Sequence, residues 1–246
     1  MPKAGELTYY ETIGELGRSH AIHKPFSEEV RGRSIMQVGA VMELLPPPPV
    51  RILECGCGTG WFAKILQHCG YDVVGVDVAP MAIDLARGNP IFTDDPFPTF
   101  EVADSEDLPF REEFDVVLFY DSLHHSVDEQ AAINGAFRAL RPGGICVASE
   151  TALGHEKASR DIAERYDVTE KNMHPALIAR LGKKAGFRNI RTYPRADQFG
   201  SIFYEPSRPT SSWKSRLARC WPFNYLAVFG LMTVLKRTSG IVVLTK

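Results

Sequence analysis

Residues 52–61 read ILECGCGTGW. Two aliphatic residues and a carboxylate run into Gly56, Gly58 and Gly60. Glycine weakens a regular element, so glycines at alternate positions mark a backbone that something approaches closely. Three ligand classes use such loops: nucleoside triphosphates, dinucleotides and smaller nucleoside cofactors. The triphosphate loop ends in Gly-Lys-Ser/Thr, and this one does not. The dinucleotide fingerprint G-x-G-x-x-G requires glycine where Trp61 stands. The pattern here is G-x-G-x-G, with Glu54 ahead of it.

Outward from this loop the chain alternates. RILEC (51–55), DVVGVD (72–77), TFEVAD (99–104), FDVVLFYD (114–121) and ICVASE (145–150) read as strands. GWFAKILQHCG (60–70), PMAIDLARG (80–88) and VDEQAAINGAFRAL (127–140) read as helices between them. RPGG (141–144) reads as a turn. Strands alternating with helices predict a parallel sheet covered on both faces. Ahead of this core, residues 28–45 are expected to be a helix capped by Ser27. Val30, Ile35, Val38, Val41, Met42 and Leu45 form its apolar stripe, and Pro46 to Pro49 stop it. Beyond the core, residues 154–174 read as an irregular charged insertion and 175–187 as a helix. Residues 189–194 and 240–246 read as strands. The long stretch 195–239 between them is an insert that covers something.

A chain of 246 residues suits one domain with a full core. Its 44% hydrophobic and 24% charged content are ordinary for a soluble globular protein. The N-terminus carries no apolar signal region, and five irregularly spaced cysteines suggest no disulfide framework. A cytoplasmic location is expected, and Cys55 and Cys57 lack a second pair to complete a zinc site.

The net charge of −2 argues against a general nucleic-acid binder, but it hides an asymmetry. From Lys171 onward 14 Lys and Arg face only Asp197 and Glu205. Such a split marks an anionic partner, a membrane surface or simply solvated basic faces. Within it, residues 213–237 (WKSRLARCWPFNYLAVFGLMTVLKR) enclose sixteen uncharged residues between basic ones. That is short for a membrane span, and Pro222 and Asn224 interrupt it. A peripheral contact with the inner membrane face, an amphipathic lid and a homodimer surface are the three readings.

Asp77 closes the second strand, where a carboxylate can accept from both ribose hydroxyls. Asp104 closes the third and opens DSEDLPF. The run ECGCGTG, GVDVAP, ADSEDLPF, FDVVLFYDSLHH and LRPGG, in this order over about residues 50–150, resembles the class I S-adenosylmethionine-dependent methyltransferases. It is most similar to the small-molecule group that includes the ubiquinone and menaquinone enzymes. The resemblance implies an α/β, Rossmann-like fold: a seven-stranded, mostly parallel sheet with helices on both faces and a helical lid or insert. It implies one domain over 1–246, with an N-terminal helical cap (1–49), a cofactor-binding core (50–153) and a substrate-side half (154–246).

The same resemblance assigns S-adenosylmethionine as cofactor. The backbone of Glu54, Gly56, Cys57, Gly58 and Gly60 would cradle its methionine part and ribose. Asp77 would hold the ribose hydroxyls, with Val78 and Met81 against the adenine. Asp104 and the Ser105 amide would read the adenine edge. Tyr120 and Asp121 would face the methionine amine and the acceptor.

Methyl transfer from a sulfonium needs alignment and exclusion of water, and a hydroxyl acceptor also needs its proton removed. Histidine suits that task near neutral pH. His124 and His125 lie just after the fourth strand, inseparable by sequence, with Asp121 able to orient either. Similar sugar O-methyltransferases carry a histidine base here, but members that methylate carbon share the His-His loop. Tyr9, Tyr10, His20 and His23 are candidates for acceptor binding. No metal is expected, because neighbouring histidines do not share one helix face. A basic lid suits a hydroxylated acceptor carried on a phosphate, and the tail from YDVTEKNMHPALIARLGKKAGF to GIVVLTK resembles methyltransferases of bacterial surface-glycan clusters. That resemblance implies O-methylation of a sugar or surface-glycan precursor, anionic or lipid-linked. C- or N-methylation of another small molecule and a non-catalytic scaffold are the alternatives.

Overall fold

The computed structural model describes residues 3–92, 97–152, 155–197, 226, 230 and 240–246. The expected insert beyond residue 197 and the basic-flanked segment 213–237, apart from Leu226 and Gly230, lie outside the described residues. Among the described residues, no helix is long and apolar enough to cross a membrane.

Two helices, α1 (Ala4–Thr12) and α2 (Gly14–Ile22), precede α3 (Arg31–Met42). The alternating core then follows: β1 (Arg51–Cys55), α4 (Trp61–His68), β2 (Asp72–Asp77), α5 (Pro80–Gly88), β3 (Thr99–Val102), β4 (Phe114–Tyr120), α6 (Glu129–Ala139) and β5 (Leu140–Glu150). The chain continues through α7 (His155–Ala158), α8 (Arg160–Tyr166), α9 (Pro175–Ala185), β6 (Asn189–Tyr193) and β7 (Gly240–Thr245). All seven strands form one sheet in the order β3-β2-β1-β4-β5-β7-β6. The first five pair in parallel, and β7 runs antiparallel to both β5 and β6.

The strand sequences explain why both faces are covered. Val116 and Leu118 of β4 point into one core with Phe62, Leu66 and Ile83 of α4 and α5. Val117 and Phe119 point into the other, with Ile133, Ala136 and Ile178 of α6 and α9. Period-two alternation thus feeds two apolar layers from one strand. Each of these large side chains is essentially solvent-free, and truncating one costs about 3–5 kcal/mol for phenylalanine. The strand order reverses direction between β1 and β4. That switch point is where an open parallel sheet leaves a crevice beyond its carboxyl ends.

Four expectations need correction. The helix expected over 28–45 starts only at Arg31, because the Ser27 hydroxyl donates to the His20 carbonyl instead of capping. Val30 and Ile35 accordingly remain 45% and 46% exposed, while Val38, Val41 and Leu45 are buried. Residues 141–144 are not a turn outside the sheet. Leu140 pairs with Phe114, the register shifts, and pairing resumes at Ile145 opposite Val116. Residues 154–174 are not irregular throughout, since they carry α7 and α8.

Candidate active site

A cavity of about 680 Å³ opens at the switch point. Its floor is the loop after β1. Gly58 has φ 51°, and a Cβ there would stand 2.7 Å from Tyr10 Oη, so the loop and α1 approach each other through a missing side chain. Gly60 has φ 71°, and a Cβ would press within 2.6 Å of Phe100 and 2.8 Å of Ala86. Gly60 is not among the residues that line the cavity, and its missing side chain makes room for Phe100 of β3 and Ala86 of α5.

Asp77 ties this loop to β2. Its carboxylate accepts from the Gly58 N–H at 2.9 Å and the Ala79 N–H at 3.0 Å. Burial raises its pKa, and those two amides pull it back without cancelling the shift. Glu54 is 4% exposed, and its Oε2 has no hydrogen-bond partner. Burial pushes its carboxyl up to about 8, against the pull of the Ala63 backbone N–H and with help from the Asp77 charge. An unpartnered buried acceptor beside the glycine loop suits a bound donor such as an ammonium group. This pair of carboxylates and the shaped loop fit S-adenosylmethionine, with Asp77 toward its ribose and Glu54 toward its methionine part.

Cys57 and Val78 also line the cavity, whereas Met81 does not. Asp104 and Ser105 line it too, but Asp104 is engaged. Both of its oxygens lie 2.6 Å from Lys3 Nζ, which also reaches Glu106 at 2.7 Å. Tyr120 lines the cavity and is wedged edge-on against Trp61 and Phe62.

Of the proposed acceptor residues, Tyr9 and Tyr10 line the cavity, and Tyr9 packs edge-on against Tyr166 of α8. His20 and His23 do not line it. His20 faces Glu28 at 3.7 Å, and the His23 ring bonds the Ser19 carbonyl one turn back.

The histidine pair sits on a 3-10 turn, Leu123–His125, beyond β4. The structure separates its members. His124 is 3% exposed, and its Nδ1 donates to Glu150 Oε2 at 2.7 Å. Glu150, fully buried at the end of β5, uses its other oxygen to accept from the Ser122 and Leu123 amides. Carboxylate and imidazole therefore form an oriented dyad, with His124 Nε2 3.6 Å from Glu170 Oε2. His125 Nδ1 instead donates to the Thr169 carbonyl at 2.7 Å. Burial pulls its pKa down, but the nearby Glu6 and Glu170 carboxylates and the Thr169 carbonyl prevail and hold it up to about 9.

Asp121 does not orient either ring. Its backbone sits at φ 47°, and its carboxylate is clamped by Arg195 at 2.6 and 3.2 Å. Burial works against that charge, and the guanidinium outweighs it, holding Asp121 below the usual carboxylate range. Arg195 is itself 4% exposed and also bonds Asp197. The expectation of no metal meets one cluster among the described residues. One ligand atom from each of His124, His125 and Glu170 lies within 4.8 Å of the others.

Glu150, Glu170, His155, Lys3 and Arg195 were not among the sequence candidates. Glu150 carried a usable signal, since it ends a strand as Asp77 and Asp104 do. Glu170 and His155 lay in a segment with no periodic pattern to place them.

Comparisons with known proteins agree with this geometry. Residues 53–148 match the family described as a methyltransferase domain. The chain is 35% identical over 108 residues to a ubiquinone biosynthesis O-methyltransferase of Cereibacter sphaeroides, covering 43% of this chain and 42% of that protein. It is 38% identical over 161 residues to the 27-O-demethylrifamycin SV methyltransferase of Amycolatopsis mediterranei, covering 64% and 59%. The chain thus spans about half the length of these relatives. A solved S-adenosylmethionine-dependent methyltransferase of Thermotoga maritima, described as a possible histamine N-methyltransferase, shares the fold with a TM-score of 0.62. That match covers 98% of this chain and 99% of the other at 19% identity. The glycine loop, the strand-end carboxylates and the matched core agree: over residues 53–148 the chain matches a methyltransferase domain, and its fold is similar to that of S-adenosylmethionine-dependent methyltransferases.

Proposed function

We propose that the protein methylates a hydroxyl group of a small molecule, with a sugar or glycan precursor as the favoured acceptor and His124 as the proton acceptor. The observation that carries this reading is the Glu150–His124 dyad. It opens onto the same cavity as the Glu54–Asp77 cofactor cradle.

S-adenosylmethionine, when bound, supplies a methyl group on a sulfonium centre that is already a good leaving group. The residues then have three tasks. Asp77 and Glu54 fix the donor against the glycine loop. Tyr10 and Tyr120 border the cavity and limit water. His124 Nε2 would accept the acceptor's hydroxyl proton as that oxygen is methylated. Glu150 holds Nδ1–H, so the lone pair is on Nε2, and it stabilises the imidazolium that results.

A second reading is supported by charge. Glu6, Glu28 and Glu170 line the cavity, where Arg195 is spent on Asp121 and Asp197 and Lys24 on Glu28, which favours a neutral or amine-bearing group at that end over a phosphate. N-methylation of an amine is the corresponding alternative. Incubation with methyl-labelled cofactor and a panel of sugars, nucleotide sugars and amines, followed by NMR of the product, separates the two. A labelled methyl on oxygen supports the first reading. A methyl on nitrogen or carbon, or full turnover by His124→Ala, overturns it.

A further inference from the structure

We propose that His124, His125 and Glu170 form a site for one divalent transition-metal ion of the zinc type. The argument starts with the imidazoles. A backbone carbonyl can only accept, so the Thr169 contact places the proton of His125 on Nδ1. The Glu150 carboxylate does the same for His124. Both rings therefore have Nδ1 committed outside the cluster, and Nε2 is the ligand atom, on His125 after an arriving ion displaces the second ring proton. Outer partners of this kind, carboxylate or carbonyl, are what fix the tautomer of metal-binding histidines.

The third ligand points to the same place. The Glu170 side chain is 9% exposed, and its Oε2 is buried with no hydrogen-bond partner. His155 Nε2 lies 2.7 Å from that oxygen as its ion-pair partner, off the ideal hydrogen-bond direction, and an ion would compete with it. The same Glu170 oxygen lies 3.6 Å from His124 Nε2. Bonds of 2.0–2.1 Å in a tetrahedral site set neighbouring ligand atoms about 3.3 Å apart, so this pair is within a few tenths of an ångström of the required edge. The three ligand atoms lie within 4.8 Å of one another, so the widest pair must close by up to about 1.5 Å to reach that edge.

Two imidazoles and one carboxylate suit zinc, cobalt or nickel rather than magnesium or calcium, which prefer all-oxygen shells. All three residues line the cavity, so the remaining coordination position faces its interior. An ion there takes the His124 lone pair. Metal binding and proton acceptance by His124 then exclude each other, a consequence that rests on the function proposed above. Binding itself rests on geometry alone.

The test uses the untagged full chain with Co²⁺ as probe, in the absence of cofactor and acceptor. The expected result is one equivalent of Co²⁺ with the intense visible bands of four- or five-coordination. Two hyperfine-shifted, exchangeable ring N–H resonances should accompany it, from His124 and His125. Glu170→Gln should weaken binding at least about tenfold, and His155→Asn by less than about threefold, since His155 is not a ligand. A spectrum of the free hexaaqua ion at every protein concentration overturns the proposal. So does binding without shifted imidazole resonances, a readout that stands even if a variant fails to fold. Because no methyl transfer is measured, failure here leaves the proposed function untouched, and the reverse also holds.

Discussion

Asp77 and Glu150 end the second and fifth strands, and each accepts two backbone N–H groups. Their partners differ in origin. Asp77 bonds Ala79, two residues on, and Gly58 of the glycine loop, so its setting is written in short motifs. Glu150 bonds Ser122, Leu123 and His124, at least 26 residues away. It meets them only because β4 and β5 lie side by side, with Tyr120 opposite Ser149. One carboxylate shapes a loop for a ligand, and the other aims a side chain. The same group at the same place in a strand does either job, depending on what the neighbouring strand delivers.

That contrast can be broken by exchange of function. The largest effect is expected from His124→Ala, which should lower methyl transfer roughly 10²- to 10⁴-fold while cofactor affinity holds. Asp77→Ala should do the opposite, weakening cofactor binding by calorimetry roughly 10- to 150-fold through loss of charged hydrogen bonds. If both variants lose both properties, the division between the two carboxylates is wrong. Glu150→Gln sharpens the comparison. The amide cannot accept from all three donors, so turnover should fall roughly 10- to 100-fold and stability by about 1–3 kcal/mol in urea unfolding. Nitrogen-detected NMR should show the His124 ring losing its single tautomer, and a preserved tautomer would make Glu150 merely structural.

Two ways to read this contrast in the sequence meet different limits. The strands, α4 to α6 and the glycine loop were legible because period-two and period-3.6 patterns bury fixed faces. Asp77, Asp104 and the His124–His125 pair were legible because they follow strand ends. The dyad was not, because hydrophobic periodicity says nothing about which polar side chain a strand end will meet. Arg195 was hidden for the same reason: its partner Asp121 lies 74 residues back. His20 and His23 do not line the cavity, because His20 faces the Glu28 carboxylate and the Ser19 carbonyl satisfies His23.

A smaller expected effect tests Glu54. Its folded-state carboxyl is raised from 4.5 to about 8. Between those values the folded chain keeps a proton that the unfolded chain has released, so stability falls as pH rises through this window, by at most about 1.4 kcal/mol per unit. Glu54→Gln should flatten that slope in the cofactor-free protein, and an unchanged slope would assign it to other groups. The smallest effect is expected at Lys3. Lys3→Ala frees Asp104 from its ion pair, and cofactor affinity should rise by about two- to fivefold if the pair competes with the adenine edge. Weaker binding instead would make Lys3 part of the cofactor site.

The position of β7 has a consequence for how the molecule holds together when cut. β7 lies between β5 and β6, joined to each by a ladder, and among the described residues β6 has no other neighbour in the sheet. Ile241, Val242 and Leu244 are buried in the cores. A single cleavage between β6 and β7 that leaves both strands intact therefore severs the chain without severing the ladders among the described strands. The two pieces would stay associated as a nicked heterodimer, and separately made fragments ending and restarting in that stretch are expected to recombine by strand insertion.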